Sequence, residues 1–347
     1  MEASFYFSLH LCIKDINMKI IGVNGFGRIG RYFVRMALSQ NDIQIGLVND
    51  LADIEMLAHL FKYDSIHGIN PFNFKIEGNS LVFENGKIIH FSKERNPELI
   101  PWKEYGVETV VESTGFFRKR EQAEQHIKAG AKRVIISAPA GSSDIKTIVL
   151  GVNETIFDDT DTVVSNASCT TNNVAPLFKV MKSICEIENA YITTVHSYTS
   201  DQRLHDAPHE DYRRARAAAE SIVPTSTGAA KAITKIFPEY EGKIGGGAFR
   251  VPVSNGSLSD ITIVVKNEVT VEQINQAMKN AAEGELKGIL EYTEDPIVSR
   301  DIIGNPSSCI FDAELTSVVG KMIKIVGWYD NEAGYSNRLV DLVKYIK

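Results

Sequence analysis

Cys169 stands in the segment SNASCTTN, Ser165 to Asn172, between a β-branched run and the helical pattern Val174 to Ile184. That placement predicts a cysteine at or near a helix N-terminus. Unpaired N–H groups there favour thiolate over thiol and lower the pKa below the free value of about 8.5. A lone cysteine is more often a small buried hydrophobe, and that reading suits Cys185, inside an amphipathic pattern, and Cys309, beside Ile310 and Phe311. Cys169 differs because Ser168, Thr170, Thr171 and Asn172 surround it with hydroxyl and amide groups. A nucleophilic thiol needs a proton partner. Of eight histidines, His196 alone ends a strand pattern (YITTVHS) beside a polar loop. His59, His67, His90, His126, His205 and His209 are expected to be structural or solvated, and no histidine spacing fits a metal site, so none is expected.

Arg203, Arg213, Arg214 and Arg216 crowd one loop, and Arg250 follows the strand-like GGGAF. Guanidinium groups chelate phosphate oxygens in a fork, so the cluster suggests a phosphorylated small substrate. The alternative is a solvated or inter-subunit ion-pair run. Thr225 to Gly228 (TSTG) favours the anion site, because hydroxyls and a helix start add anion ligands. Earlier in the chain, Gly25, Gly27 and Gly30 form G-x-G-x-x-G directly after the strand pattern MKIIGVN and open a helix pattern. A pyrophosphate can approach such a backbone. Asp50 ends the second strand 20 residues past Gly30, where a carboxylate bonds the ribose hydroxyls of NAD and repels the extra phosphate of NADP. A dinucleotide site, an activated cysteine, a histidine and phosphate-binding cations together specify oxidation of a phosphorylated aldehyde. An aldehyde yields no hydride easily until a nucleophile adds to its carbon, and the adduct can then collapse to a thioester.

These groups need a frame. Strand patterns at Met18 to Asn24, Ile43 to Val48, Val107 to Glu112, Val134 to Ser137, Thr147 to Gly151 and Thr162 to Ser165 alternate with helix patterns at Ile29 to Leu38 and Glu121 to Ala129. This predicts an α/β fold with an N-terminal Rossmann doubly wound parallel sheet over residues 18–168. Longer alternating runs at Ile192 to Val195, Gly247 to Val253, Ile261 to Lys266 and Ile323 to Tyr329 predict an α+β catalytic domain, 169–330, with a largely antiparallel sheet. A helix within 331–347 is expected to return to the first domain. The 347 residues are 44% apolar and 23% charged, an ordinary globular profile, and the net charge of −7 disfavours nucleic acid and anionic membranes. No apolar run approaches the roughly 20 residues that span a bilayer. Four cysteines without a C-x-x-C pair point to a reducing, cytoplasmic setting. Residues 1–17 are expected to be a disordered appendage or the product of an upstream start.

NGFGRIGR (Asn24 to Arg31), SNASCTTN, TTVHSYTSDQ (Thr193 to Gln202), RRARAAAESIVPTSTGAAKA (Arg213 to Ala232), FRVP and WYDNEAGYSN (Trp328 to Asn337) resemble the phosphorylating glyceraldehyde-3-phosphate dehydrogenases, in order and in register from Met18 to the C-terminus. The resemblance implies that Cys169 attacks the aldehyde, His196 moves the proton and NAD takes the hydride. It implies that Ser168, Thr170, Thr199, Arg214, Thr227, Gly228 and Arg250 hold the substrate phosphate and the attacking phosphate. Arg28 and Ile29 would lie at the pyrophosphate, Asp50 at the adenine ribose, Arg95 and Ser137 along the cleft, and Asn331 at the nicotinamide amide. A homotetramer is implied as well. Asn173 and Val174 depart from a second cysteine and a leucine common in the family, and Ala207 replaces a leucine of NAD-specific members, which loosens the expected exclusion of NADP. Erythrose-4-phosphate dehydrogenase, whose acyl-enzyme is resolved by water, is the neighbouring possibility, and a non-catalytic nucleotide-binding protein is the more distant one.

Overall fold

The computed structural model describes residues 18–346, so the expected appendage, residues 1–17, lies outside the described residues. The first part runs β1 (Lys19–Asn24), α1 (Arg28–Ala37), β2 (Ile43–Asn49), α2 (Ile54–Lys62), a small hairpin of β3 (Tyr63–Asp64) and β4 (Gly68–Ile69), then β5 (Phe74–Glu77), β6 (Ser80–Phe83), β7 (Ile88–Ser92), β8 (Thr109–Glu112), α3 (Arg120–Lys128), β9 (Arg133–Ile136), β10 (Lys146–Thr147) and β11 (Val163–Ser165). Nine of these strands form one sheet in the order β10-β11-β9-β8-β1-β2-β7-β6-β5. It is parallel from β10 to β7, and only the β5-β6-β7 edge is antiparallel. Apolar runs such as Val110–Val111 and Val134–Ile136 are buried because helices cover a parallel sheet on both faces. The chain winds outward one way from β1 and the other way from β8. A crevice therefore opens beyond the C-terminal ends of these two neighbours, where such sheets bind ligands.

The second part runs α4 (Cys169–Ile184), β12 (Ile187–Ser197), β13 (Val223–Thr225), α5 (Ala229–Ile236), β14 (Ile244–Val251), β15 (Ser257–Val265), α6 (Val271–Glu283), β16 (Leu290–Thr293), β17 (Cys309–Asp312), β18 (Ser317–Val319), β19 (Met322–Tyr329) and α7 (Ala333–Tyr345). Its sheet is ordered β13-β14-β12-β15-β19-β17-β16, with β18 on β19. It is largely antiparallel, although β12 with β14 and β16 with β17 pair in parallel. Strict alternation in β15 gives it one buried face, and α4 and α6 cover that face through Leu177, Phe178, Ile274 and Met278. The closing helix α7 packs on α1 in the first core through Leu339, Val340, Leu342 and Val343. Lys19 Nζ, in β1, donates to the carbonyls of Val343 at 2.7 Å and Lys344 at 2.8 Å, satisfying acceptors that the end of α7 leaves over.

One expected strand shrinks. Of Thr147 to Gly151 only Thr147 is extended, because Asn153 accepts the Val149 N–H at 2.7 Å and donates to the Thr147 carbonyl at 3.0 Å, folding the apolar run into a buried turn. No helix among the described residues is long and apolar enough to cross a membrane.

Candidate active site

The chain enters α4 through a strained corner. Ala167 has φ 58, the one non-glycine residue with positive φ among the described residues, and its left-handed backbone turns Ser165–Asn166 into the helix. Ser168 caps the helix by accepting the Thr171 N–H at 3.1 Å. The cap starts α4 at Cys169, five residues before the apolar periodicity begins. Cys169 thus occupies the first helical position, with Sγ 3.5 Å from His196 Nε2. His196 arrives on the end of β12, the central neighbour of β14 and β15.

Burial pushes the Cys169 thiol above its ordinary value, against the opposing pull of Arg250 and of the Thr170 N–H. Desolvation therefore opposes the lowering expected from the helix start. Burial also pushes His196 down, to about 3, and nearby Arg250 adds to this, while the Ser197 carbonyl and Asp201 oppose it. His196 Nδ1 lies 2.7 Å from the Ser197 carbonyl and 2.8 Å from Arg250 Nη1. A carbonyl only accepts and a guanidinium only donates, so Nδ1 serves one of them at a time. Its choice sets whether Nε2 faces the sulfur with a proton or a lone pair.

Asp201, to which the sequence reading gave no role, organises the cations. It accepts from Arg214 Nη1 at 2.5 Å and from the Thr199 hydroxyl, and lies 3.7 Å from Arg250 Nη2. Burial alone would raise its carboxyl, yet Thr199, Arg250 and Arg214 hold it below the usual carboxylate value. Arg214 also donates to Thr225 Oγ1 through Nε and Nη2. The other loop arginines point elsewhere: Arg203 to the Pro208 carbonyl, Arg216 to Asp206, and Arg213 along a separate groove. Thr227 and Gly228 lie at the start of α5, where the Thr227 hydroxyl accepts the Ala229 N–H. With Thr199 on Asp201, all four implied hydroxyls already have a partner. Thr170 Oγ1 is buried on Tyr329 Oη at 2.8 Å, and Ser168 Oγ serves the cap.

Cys169, His196, Thr199 and Arg250 open into a cavity of about 760 Å³ that continues past Ser137 and Asn331 to Gly27, Arg28 and Ile29. Gly25 turns with φ +95 after β1, and a Cβ on Gly27 would meet nothing within 4 Å, so the backbone leaves open space at the crevice. Asp50 is held at the crevice's edge by accepting the N–H groups of Phe26 at 2.7 Å and Ala52 at 3.0 Å. Asn331 Oδ1 accepts from Ser197 Oγ at 2.8 Å and Ser257 Oγ at 2.9 Å, which orients the amide and leaves Nδ2 as its free donor. Open backbone at a helix start, a fixed carboxylate and a fixed amide fit a dinucleotide. One expectation is narrowed and one changes. The Arg28 guanidinium is occupied by Asp64 and Glu332, so only its backbone N–H remains for a pyrophosphate. Arg95 is exposed and does not line the cavity.

Beneath the glycine turn lies a buried polar relay that the sequence did not advertise. Trp102 Nε1 donates to His126 Nδ1 at 3.1 Å, which makes Nε2 the donor to Glu112 Oε2 at 3.1 Å. Glu112, at the end of β8, also accepts from Asn24 Nδ2 at 2.7 Å and from the Thr114 N–H at 2.8 Å. Asn49 at the end of β2 donates to Asn24 Oδ1 at 2.8 Å. The three strand ends that border the crevice are thereby tied to one another.

With this geometry in place, the kinship of the chain is plain. Residues 19–120 match the glyceraldehyde 3-phosphate dehydrogenase NAD binding domain, and residues 168–331 match the glyceraldehyde 3-phosphate dehydrogenase C-terminal domain. The chain is 56% identical over 328 residues to glyceraldehyde-3-phosphate dehydrogenase 1 of Bacillus subtilis, covering 94% of this chain and 97% of that one. It is 56% identical to the glyceraldehyde-3-phosphate dehydrogenase of Geobacillus stearothermophilus over the same shares, and 52% identical to that of Mycobacterium avium, covering 94% of this chain and 98% of that one. The chain belongs to the glyceraldehyde-3-phosphate dehydrogenase family.

Proposed function

We propose that this protein oxidises D-glyceraldehyde 3-phosphate with NAD and inorganic phosphate to 1,3-bisphosphoglycerate and NADH, in glycolysis or its reversal. The observation that carries the reading is the Cys169–His196 pair, 3.5 Å apart, at one end of a cavity whose other end is the glycine turn after β1. Substrate phosphate, held by Arg214, Arg250 and Thr199 in place of the Asp201 carboxylate, draws Arg250 away from His196. Nδ1 then keeps its proton on the Ser197 carbonyl, and Nε2 presents a lone pair to the thiol. The sulfur adds to the aldehyde carbon as the thiol proton passes to Nε2 and from there to the new alkoxide oxygen, which leaves a hydroxyl on that carbon and Nε2 free again. Bound NAD supplies the acceptor for the hydride that leaves this tetrahedral carbon. His196 takes the hydroxyl proton as the thioester forms. Inorganic phosphate attacks the thioester, and the departing sulfur recovers its proton from His196.

Backbone N–H groups at Arg28 and Ile29, the Asp50 carboxylate, Ser137 and Asn331 are the residues assigned to the cofactor, with Gly25 making the turn and Gly27 giving it room. A homotetramer in the cytoplasm completes the proposal. Support for assembly comes from Tyr191, Leu204, Tyr212, Ile222 and Phe249, which stay exposed along the uncovered sheet face and the arginine loop. The test is NADH formation from the aldehyde with and without inorganic phosphate, in wild type and Cys169→Ala. Phosphate-dependent turnover lost in the variant is expected. Turnover without phosphate would move the assignment to a hydrolytic sugar-phosphate dehydrogenase, and none at all in a folded, NAD-binding chain would end the enzymatic reading.

A further inference from the structure

The loop between β19 and α7 ties both parts of the molecule to the cleft. Asn331 in its middle is fastened to Ser197, the residue after His196. Asp330 fixes the loop to its own part of the fold, with Oδ1 accepting from Asn255 Nδ2 and from the N–H groups of Glu332 and Ala333, each at 2.8 Å, and Oδ2 from the Gly304 N–H at 2.7 Å. Glu332 reaches the other way. Its carboxylate accepts from Arg28 Nε at 2.8 Å, from Arg28 Nη2, and from His67 Nε2 at 3.0 Å. Arg28 is the first residue of α1, directly after Gly27. Its remaining fork edge holds Asp64 through Nη1 at 2.8 Å and Nη2 at 3.1 Å. Asp64 in turn accepts the N–H groups of Ile66 at 2.8 Å and His67 at 3.0 Å.

This is not a surface ion pair. The side chains of His67, Glu332, Asp64 and Arg28 are 4%, 10%, 12% and 27% exposed, and the fork is satisfied on both edges. Bidentate geometry with little solvent fixes distance and orientation together. One end of the bridge borders the crevice where a pyrophosphate would lie, and the other is the neighbour of the amide assigned to the nicotinamide. We propose that Glu332, Arg28 and Asp64 form a latch between the two parts of the fold that sets the spacing of the two ends of the dinucleotide cleft. They are positioning residues, and the Arg28 guanidinium is a strut, not a phosphate ligand. The proposal rests on the dehydrogenase reading for which dinucleotide is bound, and on this chain's own contacts for the rest.

The two roles open to Arg28 predict opposite signs. As a strut, its loss and the loss of its partner have one effect: Arg28→Leu and Glu332→Gln each weaken equilibrium binding of NAD about five- to tenfold. The double variant is then no weaker than the poorer single within about twofold, because one unit is broken once. Turnover at saturating NAD falls in both singles, since a cleft reset by about 1 Å misplaces the reacting carbon. As a phosphate ligand, Arg28→Leu weakens NAD, whereas Glu332→Gln frees the guanidinium and tightens it. Arg28→Lys separates the same two roles should Arg28→Leu not fold: a lysine keeps a charge for phosphate but cannot bridge two carboxylates, so a strut predicts weakened NAD and a ligand predicts affinity retained. Tighter binding in Glu332→Gln, unchanged binding in both singles, or additive losses in the double variant would each overturn the latch. Binding is read by titration without aldehyde, so a chain that bound NAD and oxidised nothing would end the dehydrogenase reading and leave the latch to the binding data.

Discussion

The glycines of one motif serve different ends, and a pair of alanine substitutions separates them. A Cβ on Gly30 would stand 2.1 Å from the Gly25 carbonyl oxygen and 3.0 Å from Ser113 Oγ. Something must yield by about 1 Å, and the oxygen that yields is also the acceptor for Ser113 Oγ at 2.7 Å. Overpacking of this kind costs about 1–3 kcal/mol and the strained hydrogen bond about 1 more, so Gly30→Ala should lose roughly 2–4 kcal/mol of stability. Gly27 is the reverse case. Its backbone is extended at φ −72, ψ −161, and its Cβ meets nothing within 4 Å, so an alanine folds there within about 0.5 kcal/mol of wild type. The new methyl group points into the open crevice, where a pyrophosphate would have to stand off from the helix start. An increase in the NAD dissociation constant of about 100-fold, or roughly 2.7 kcal/mol, is expected. Urea midpoints and NAD titrations on both variants are the assay. Gly27→Ala binding NAD as wild type does would refute the path assigned to the dinucleotide. Gly30→Ala with an unshifted midpoint would refute the packing argument.

His196→Gln removes the proton carrier and should lower turnover about 10²- to 10⁴-fold while leaving NAD affinity intact. It should also flatten the acid limb of stability. An unfolded imidazole binds a proton below about 6.5, whereas burial keeps the folded one neutral down to about 3, so wild type loses stability as pH falls between those values and the variant loses less. Equal urea midpoint shifts from pH 7 to pH 5 in the two proteins would contradict the burial argument. His126→Phe strips the Trp102 indole of its acceptor and the buried Glu112 carboxylate of one donor, for an expected loss of about 2–4 kcal/mol. A midpoint within about 0.5 kcal/mol of wild type would mean that the relay is not what ties β1, β2 and β8 together.

The elements that the sequence discloses are those whose period repeats over a buried face. β1, β2, β8, β9 and α7 lie where runs such as Lys19–Asn24 and Leu339–Val343 put them, because burial on one or both faces forces the pattern. The segment between Asn49 and Val107 carried no expected element, yet it holds α2 and five strands. Its strands are two to five residues long and half-exposed, with FKIE and IIHFS spanning barely two periods. Their place is set by tertiary partners, as when β7 completes the parallel run beside β2. The parallel pairing of β12 with β14 is hidden for a related reason. Alternation records which face of a strand is buried and nothing of its neighbour's direction.

The site divides along the same line. Cys169, Asp50 and the glycines were legible because a local rule, a helix start or a turn, dictates residue type at fixed spacing. Asp201, Glu112 and Glu332 were not, since a carboxylate in isolation reads as a solvated surface group and each gains its role from a cation or amide far along the chain. In Arg28 the two kinds of information meet. Its position in the glycine motif assigns its backbone to the pyrophosphate. Its side chain obeys long-range partners, 36 residues ahead at Asp64 and 304 ahead at Glu332. A guanidinium already bound to two carboxylates with little exposure has little charge left to offer an incoming anion, so geometry weighs against a phosphate role for the side chain. Within a dinucleotide cleft, then, motif position assigns the backbone, and the side chain belongs to whatever the fold brings to it.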